Sequence, residues 1–424
     1  MSRFSAEIYQ NEYLPAGGSE VNAIVTVTAA GDPGATPEIE AAEIVIVDTS
    51  GSMSVPKVKL NAARDATSAA IDCIRDGVKF AVVAGTDRAR VVFPSGGGLA
   101  VASAETREQA QWAAARLKAE GGTAIGSWLT CAKELFAAAP GRVCHAILLT
   151  DGEDEHETAA ELDAILSACE GRFQCDCRGV GTDWRVSELR RIATVLLGTV
   201  DIIADPADMA ADFRTTMQAA MGKATDSVSL RVWTPQGAHV AFIRQVAPSV
   251  QELSDRAAQI NPLTADYPTG TWGEESRDYH ICIQVAPRGL GDEMLAARVT
   301  IMEGDDVLSQ GLVKAIWTDD ELLSTRINRE VAHYTGQAEL ADCIQDGLDA
   351  RKAGDDATAT YKLGRAVQLA SASGHDGTMK LLAAVVEVDD AATGTVRLRR
   401  DVADADEMAL ETRSTKTVRV GPAA

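Results

Sequence analysis

The chain has 424 residues and a formal net charge of −22, which allows two or three domains with ample core. The acidic excess argues against nucleic acid and anionic membranes as partners, because both are bound through clustered Lys and Arg. No apolar run approaches the roughly 20 residues of a membrane span. Eight scattered cysteines without a CxxC pair, and an N-terminus without an apolar signal core, predict a reduced cytoplasmic setting.

The first 40 residues contain an isolated strand pattern. Apolar and polar residues nearly alternate over 21–29, and a loop rich in Gly and Pro follows at 31–37. No helical pattern comes after this strand. Residues 1–40 are therefore predicted to contribute one or more strands to a sheet formed elsewhere in the chain.

Strands and helices alternate from residue 41, as is typical of an α/β domain. The apolar run at 44–47 predicts a buried parallel strand, and the turn residues at 85–88 predict a hairpin at a sheet edge. Further strands are predicted at 80–84, 89–93, 146–149, 175–180 and 201–203. Helices are predicted at 56–75, 104–117, 124–138, 157–168, 186–196 and 206–221.

Oxygen-bearing side chains follow two of these strands. Asp48, Ser50 and Ser52 stand at alternate positions on a glycine-bent loop after the first strand, and Asp151 ends a later apolar strand. Thr123 opens a predicted helix. If the two strands are neighbours where strand order reverses, the two carboxylates face one point. Carboxylate and hydroxyl oxygens suit Mg²⁺ rather than zinc, although Asp48 and Asp151 could also be simple cap and turn residues.

This ordered set resembles the metal-ion-dependent adhesion site of the von Willebrand factor A family over residues 41–222. Asp48-x-Ser50-x-Ser52, Thr123 and Asp151 match the family's ligand positions in order. The resemblance implies a Rossmann-like, doubly wound domain that binds Mg²⁺, with Mn²⁺ or Ca²⁺ as alternatives. It also implies that the ion lacks one ligand, which a partner protein commonly supplies as the carboxylate of an Asp or Glu.

The same resemblance implies a non-enzymatic interaction protein. Intracellular relatives work beside AAA+ ATPases or in kinase and phosphatase stress systems, so these are the expected partner classes. A metal-dependent phosphohydrolase using the same site is the alternative, but Ser50 occupies the place where a haloacid dehalogenase-type phosphotransferase needs a second carboxylate. There is also no Gly-x-Ser-x-Gly elbow and no phosphate-binding Gly-x-x-x-x-Gly-Lys-Ser/Thr loop. A scaffold acting through its helical region is the third hypothesis.

The remainder of the chain changes character after residue 225. Alternating strands without helices predict an antiparallel β-sandwich at 225–318, which residues 1–40 are expected to join by likeness to some bacterial relatives. Residues 319–388 predict a helical hairpin, and the polar residues 389–424 predict an extended or disordered tail. In that tail Thr415 and Thr417 each precede a Val by three residues in a basic context. This pattern suggests phosphorylation by a Ser/Thr kinase and recognition by a forkhead-associated protein.

Overall fold

The computed structural model describes residues 4–30, 40–138, 143–154, 156–225 and 228–419. The chain divides into two compact units, one formed by Met1–Gly34 with Ser227–Ala424 and the other by Ala35–Asp226. The first strands of the chain are β1 (Phe4–Gln10), β2 (Tyr13–Leu14) and β3 (Glu20–Ala29). They belong to the first unit, so the second unit is inserted in the chain after β3.

The unit Ala35–Asp226 alternates strands with helices. Its strands are β4 (Ala41–Asp48), β5 (Lys79–Gly85), β6 (Ala89–Phe93), β7 (Ala100–Val101), β8 (Val143–Thr150), β9 (Gln174–Val180) and β10 (Val200–Ile203). Its helices are α1 (Val58–Cys73), α2 (Ala104–Ala114), α3 (Ile125–Ala138), α4 (Ala159–Cys169), α5 (Val186–Val195) and α6 (Met209–Met221). Short 3₁₀ turns precede α1 at Gly51–Ser54 and α6 at Pro206–Asp208.

These strands form one sheet in the order β10-β9-β8-β4-β5-β6, with β7 also beside β5. Every pair from β10 to β5 is parallel, whereas β6 and β7 run antiparallel to β5 at the edge. All residues of β4 are buried, as expected for a central strand covered by helices on both faces. The predicted α/β fold class, with a doubly wound sheet, is confirmed.

The point where strand order reverses lies at β4. From β4 the chain proceeds to β5 on one side, and it later returns to β8 on the other side. The carboxyl ends of β4 and β8 are therefore adjacent, and this is the position at which doubly wound sheets bind ligands. Asp48 is the last residue of β4, and Asp151 directly follows β8.

The strands of the other unit pair antiparallel in its two larger sheets, except that β2 runs parallel to β18. Its further strands are β11 (Val228–Trp233), β12 (His239–Ala247), β13 (Gln251–Glu252), β14 (Ala258–Asn261), β15 (Thr264–Pro268), β16 (Glu275–Gln284), β17 (Glu293–Glu303) and β18 (Asp306–Trp317). Within the described residues they form the sheets β1-β3-β16-β12-β13 and β14-β15-β11-β17-β18-β2. Trp272, Tyr279 and Trp317 are fully buried here, so large aromatic side chains fill the core of this unit.

Helices and a hairpin follow the sheets. They are α7 (Glu321–Ser324), α8 (Arg329–Lys352), α9 (Asp356–Ser373), α10 (Asp376–Val385), β19 (Val386–Asp390), β20 (Thr395–Leu398) and α11 (Asp404–Arg413). The expectation of an extended or disordered tail at 389–424 is wrong for the described residues up to 419. Val396 and Leu410 pack with Ile344 and Leu363 in one buried cluster, so a few apolar side chains suffice to order the segment. None of the described helices is both long and apolar enough to cross a membrane.

Candidate metal centre

Asp48 is a buried carboxylate whose two oxygens both accept hydrogen bonds. Its Oδ1 accepts from the Ser50 backbone N–H at 2.7 Å, and its Oδ2 accepts from Thr150 Oγ1 at 2.6 Å. Burial raises the pKa of Asp48 to about 6, although the hydrogen bonds from Ser50 and Thr150 act to lower it. The carboxylate is held in one orientation in a place that favours a nearby positive charge.

A chain of hydroxyl contacts links this loop to the end of β8. Ser50 Oγ and Ser52 Oγ share a hydrogen bond of 2.9 Å, and Ser52 Oγ donates to Asp151 Oδ1 at 2.6 Å. Asp48 and Asp151 are fully buried, whereas Ser52 is exposed. The cluster is therefore open to solvent on the Ser52 side.

Thr123 joins the same cluster from a third segment. A Cβ built on Gly152 would lie 3.4 Å from Thr123 Oγ1 and 3.7 Å from Ser52 Oγ. Both hydroxyls therefore face the turn that follows Asp151. The structure thus brings all five predicted residues, Asp48, Ser50, Ser52, Thr123 and Asp151, to one end of the sheet.

Backbone hydrogen bonds fix the loop after β4. The Thr49 N–H donates to Gly85 O at 2.7 Å, and Thr49 O accepts from the Glu120 N–H at 2.8 Å. The Gly51 N–H donates to Gly121 O at 3.0 Å. Gly121 has a φ of +75°, a conformation that favours glycine. These contacts place the segment before Thr123 directly against the loop that carries Ser50 and Ser52.

Carboxylates also fix the start of α3, which the sequence had not indicated. Asp154 Oδ2 accepts from the Ile125 N–H at 3.1 Å, and Glu157 Oε2 accepts from the Gly126 N–H at 2.5 Å. Negative charge at a helix N-terminus is stabilising, because the first N–H groups lack partners within the helix. Burial, together with the hydrogen bond and charge of Asp154, raises the pKa of Glu157 to about 7.

Lys59 is a further site residue that sequence reasoning missed, as it also missed Thr150. Its Nζ lies 2.8 Å from Asp151 Oδ2 and 3.5 Å from Asp183 Oδ2, and the residue is only 7% exposed. Burial alone would lower the pKa of Lys59, but the hydrogen bond and charge of Asp151 raise it, so the amine is charged. A lysine in the first turn of a helix is usually solvated, and nothing in the sequence distinguishes Lys59 from the exposed Lys57.

The donor set fits a hard divalent cation. It consists of two carboxylates and three hydroxyls, which are ligands typical of Mg²⁺. No group of three or more His, Cys, Asp or Glu side chains that could hold a metal occurs among the described residues. Metal binding at this place would therefore depend on the hydroxyls of Ser50, Ser52 and Thr123 as well as on the carboxylates.

The two threonines of the predicted phosphorylation motif do not lie in a flexible tail. Thr417 Oγ1 donates to Val246 O at 2.7 Å, and the Thr417 N–H donates to Pro248 O at 3.0 Å. Thr415 O accepts from the Val250 N–H at 2.7 Å. Both threonines are half-buried. A kinase would have to detach this segment first, so the structural basis of the hypothesis is wrong, and Val420 of the motif lies outside the described residues.

Family profiles match two parts of the chain. Residues 42–202 match the von Willebrand factor type A domain, and residues 368–414 match the von Willebrand factor type A C-terminal domain. The second match covers the β19–β20 hairpin and α11, of which β20 and α11 lie in the segment expected to be disordered.

Known proteins resemble the chain to different extents. A solved structure described as a von Willebrand factor type A protein from Catenulispora acidiphila is 51% identical, and the match covers 99% of this chain and 98% of that chain with a TM-score of 0.94. The ArnB paralog VWA2 from Sulfolobus acidocaldarius is 15% identical over 99% of this chain and 100% of that chain, with a TM-score of 0.62, a similarity of fold alone. An uncharacterised protein from Synechocystis sp. is 29% identical over 222 residues, which are 51% of this chain and 50% of that protein. The chain thus spans about half the length of this curated relative.

Proposed function

The chain belongs to the von Willebrand factor type A family, and from that premise we propose that it is a Mg²⁺-dependent interaction module that binds a carboxylate of a partner protein. The supporting observation is the continuous contact from Asp48 through Ser50 and Ser52 to Asp151, with Thr123 beside it. Three separate segments of the chain supply these oxygens. The residues that would hold the ion are Asp48, Ser50, Ser52, Thr123 and Asp151, some through water.

The burial of the carboxylates supports this proposal. Asp48 and Asp151 are two fully buried carboxylates for which Lys59 supplies a single positive charge, and a bound cation would balance the negative charge that remains. When bound, a divalent cation would supply one open coordination position for an outside carboxylate oxygen. The exposed Ser52 marks the side from which a partner can approach.

The chemistry of the hydroxyls supports binding rather than catalysis. Ser50 contacts Ser52, which in turn contacts Asp151, whereas an activated serine nucleophile needs a general base such as histidine within hydrogen-bond reach. His156 lies nearby but donates from Nδ1 to the Thr123 carbonyl at 3.1 Å.

We place the module in a regulatory or stress-signalling complex of the cytoplasm, beside an AAA+ ATPase or a kinase system. Eight free cysteines are consistent with a reduced compartment.

Replacement of Asp48 tests the metal site directly. Asp48→Asn keeps the size of the side chain but removes one negative charge, so Mg²⁺ or Mn²⁺ affinity should fall by at least about 100-fold, given that even supporting residues of metal sites contribute 10- to 100-fold. Titration calorimetry with MnCl₂ measures this. Asp65→Asn removes the same charge from an exposed position on α1 and should leave the affinity unchanged. Equal Mn²⁺ binding by wild type and Asp48→Asn would contradict the proposal.

Affinity capture separates the competing functions. Wild-type protein should retain partners from native cytosol in Mg²⁺ and release them in EDTA, and Asp48→Asn should retain none of this EDTA-sensitive set. Capture that is indifferent to both EDTA and Asp48→Asn would instead favour a scaffold acting through the C-terminal helices. Hydrolysis of a generic phosphoester that is lost in Asp48→Asn would favour a phosphohydrolase.

A further inference from the structure

The candidate metal centre contains a positive charge of the protein's own. The Lys59 ammonium contacts Asp151 Oδ2 at 2.8 Å, on the opposite oxygen from the one that Ser52 contacts. Both oxygens of Asp151 therefore already accept from the protein. The same holds for Asp48, whose oxygens accept from Ser50 and Thr150.

The fold holds this ammonium in place. Lys59 lies in the first turn of α1, where its N–H donates to Pro56 O at 2.9 Å. Its side chain passes the loop after β9, since a Cβ on Gly181 would lie 3.8 Å from both Lys59 Cε and Nζ. The ammonium is thus enclosed between the carboxyl ends of β8 and β9. A buried charge fixed in this way acts on its neighbours with little screening by solvent.

Lys59 changes the net charge of the candidate metal centre from the value set by the two carboxylates alone. Asp48 and Asp151 would be neutralised by one divalent cation, which would leave the open coordination position but no net charge to attract a further anion. With Lys59 included, the same cation leaves one net positive charge among the buried groups, since Asp183, 3.5 Å from Lys59 Nζ, has a side chain that is 73% exposed and is screened by solvent. A nearby fixed cation also repels the divalent ion itself, because like charges oppose each other.

We propose that Lys59 has two opposite effects on binding at this site. It weakens the binding of the divalent cation, and it strengthens the binding of an anionic ligand to the site once the cation is bound. The inference rests on the proposed function and assigns a specificity-determining role to a residue outside the ligand set. It follows that Lys59 favours a carboxylate-bearing partner over a neutral one.

Neutralising Lys59 tests both halves of this inference. Lys59→Met retains much of the apolar stem and removes the charge, so Mn²⁺ alone should bind about tenfold more tightly at low ionic strength, as expected for the loss of a close repulsive charge. Lys57→Met is the matched control, because Lys57 is exposed two residues away. It should change the affinity less than about twofold. Free Mn²⁺ is measured by electron paramagnetic resonance in full-length protein.

Acetate serves as the anionic probe of the loaded site. With the protein saturated with Mn²⁺, acetate should displace bound water, measured by proton relaxation, at a several-fold higher concentration in Lys59→Met than in wild type. Lys59→Arg retains the charge and should behave as wild type in both measurements. Lys59→Gln serves as a second neutral variant that retains a hydrogen-bond donor, should Lys59→Met fail to fold.

The outcomes distinguish this inference from the proposed function. Wild-type protein that binds no Mn²⁺ overturns both. Wild-type binding with unchanged or weaker Mn²⁺ affinity in Lys59→Met and Lys59→Gln overturns the inference alone, since Lys59 would then only position Asp151. Tighter Mn²⁺ binding without weaker acetate binding overturns the part that concerns the anionic ligand.

Discussion

Gly85→Ala is expected to destabilise the unit Ala35–Asp226 by about 3 kcal/mol or more, at the upper end of overpacking effects. A Cβ at this position would overlap the fully buried Trp128 ring, within 2.8 Å of three of its atoms. The ring cannot retreat easily, because its Nε1–H donates to Thr86 O at 2.7 Å. The cost comes from this overlap alone, since Gly85 does not have a positive φ.

The same substitution should also impair the candidate metal centre. Gly85 O accepts from the backbone N–H and the hydroxyl of Thr49, at 2.7 and 3.0 Å, and Thr86 O accepts from the Ala124 N–H at 3.1 Å. Displacing Trp128 and this strand end therefore shifts the segments that carry Ser50 and Thr123. We expect Mn²⁺ affinity to fall together with stability.

Hydrogen exchange of the amides in β4 and β5 measures the local free energy of opening in the full chain. Gly96→Ala is the matched control, because a Cβ there would meet nothing within 4 Å and the residue has no positive φ. Faster exchange in Gly85→Ala but not in Gly96→Ala is the expected result. Unchanged protection of β4 in Gly85→Ala would show that the Trp128 contact does not limit the packing of this sheet end.

Much of the unit Ala35–Asp226 could be predicted from local sequence. The run at 44–47 predicts a central strand because a strand covered on both faces needs continuous apolar residues, and every residue of β4 is indeed buried. The family resemblance carried by the Asp48 loop is confirmed by the structure that is 51% identical over 99% of the chain. The five oxygen-bearing residues of the site could be named because they match the family's motif in order, and because Asp48 and Asp151 stand where two apolar runs end.

The remaining features depend on contacts between distant segments. Lys59 and Lys57 look equivalent in sequence, and only the approach of Asp151 at 2.8 Å to one of them separates their roles. Asp154 could not be recognised as a partner of the Ile125 N–H, 3.1 Å away. The order of the C-terminal segment was missed for the same reason, since Leu410 is buried by residues far away in sequence. Composition alone reports how many apolar residues a segment has but not which partners they meet.

A buried network of ionisable side chains connects β4, β8 and β9 of the parallel sheet, away from the candidate metal centre. His145 Nδ1 lies 2.8 Å from Glu43 Oε2, and His145 Nε2 lies 3.0 Å from Asp176 Oδ2. Both ring nitrogens thus face carboxyl groups, and an imidazolium can donate to both of them at once. Burial acts to lower the pKa of His145, but Glu43 and Asp176 raise it to about 10. Burial raises the pKa of Glu43 against the opposing charge of His145. Because the pKa of His145 is raised and that of Asp176 is lowered, as in a charged pair, we assign the shared proton to the imidazole.

Removing the imidazolium should leave Glu43 Oε2 and Asp176 Oδ2 without their charged partner, while Thr199 still donates to Asp176 Oδ1. His145→Gln is therefore expected to cost about 3–5 kcal/mol at pH 6. The folded pKa of about 10 exceeds the value of about 6.5 for an unfolded histidine. The stabilisation by His145 is therefore complete below about pH 6.5 and is lost as the pH rises towards 10. Burial acts to raise the pKa of Asp176, but the hydrogen bond and charge of His145 lower it below its usual value. The stability contributed by ionised Asp176 is therefore lost only as the pH falls below about 4.

Calorimetry of the full chain between pH 5 and 10 measures this dependence. At pH 6 the unfolding temperature of His145→Gln should lie below that of wild type. With rising pH the unfolding temperature should fall steeply in wild type and much less in the variant, so that the two values converge near pH 10. His239→Gln, at an exposed histidine of β12, should leave the profile unchanged. A constant difference between wild type and His145→Gln across this range would show that His145 is neutral in the folded protein, and that the sheet tolerates Glu43 and Asp176 without a balancing charge between them.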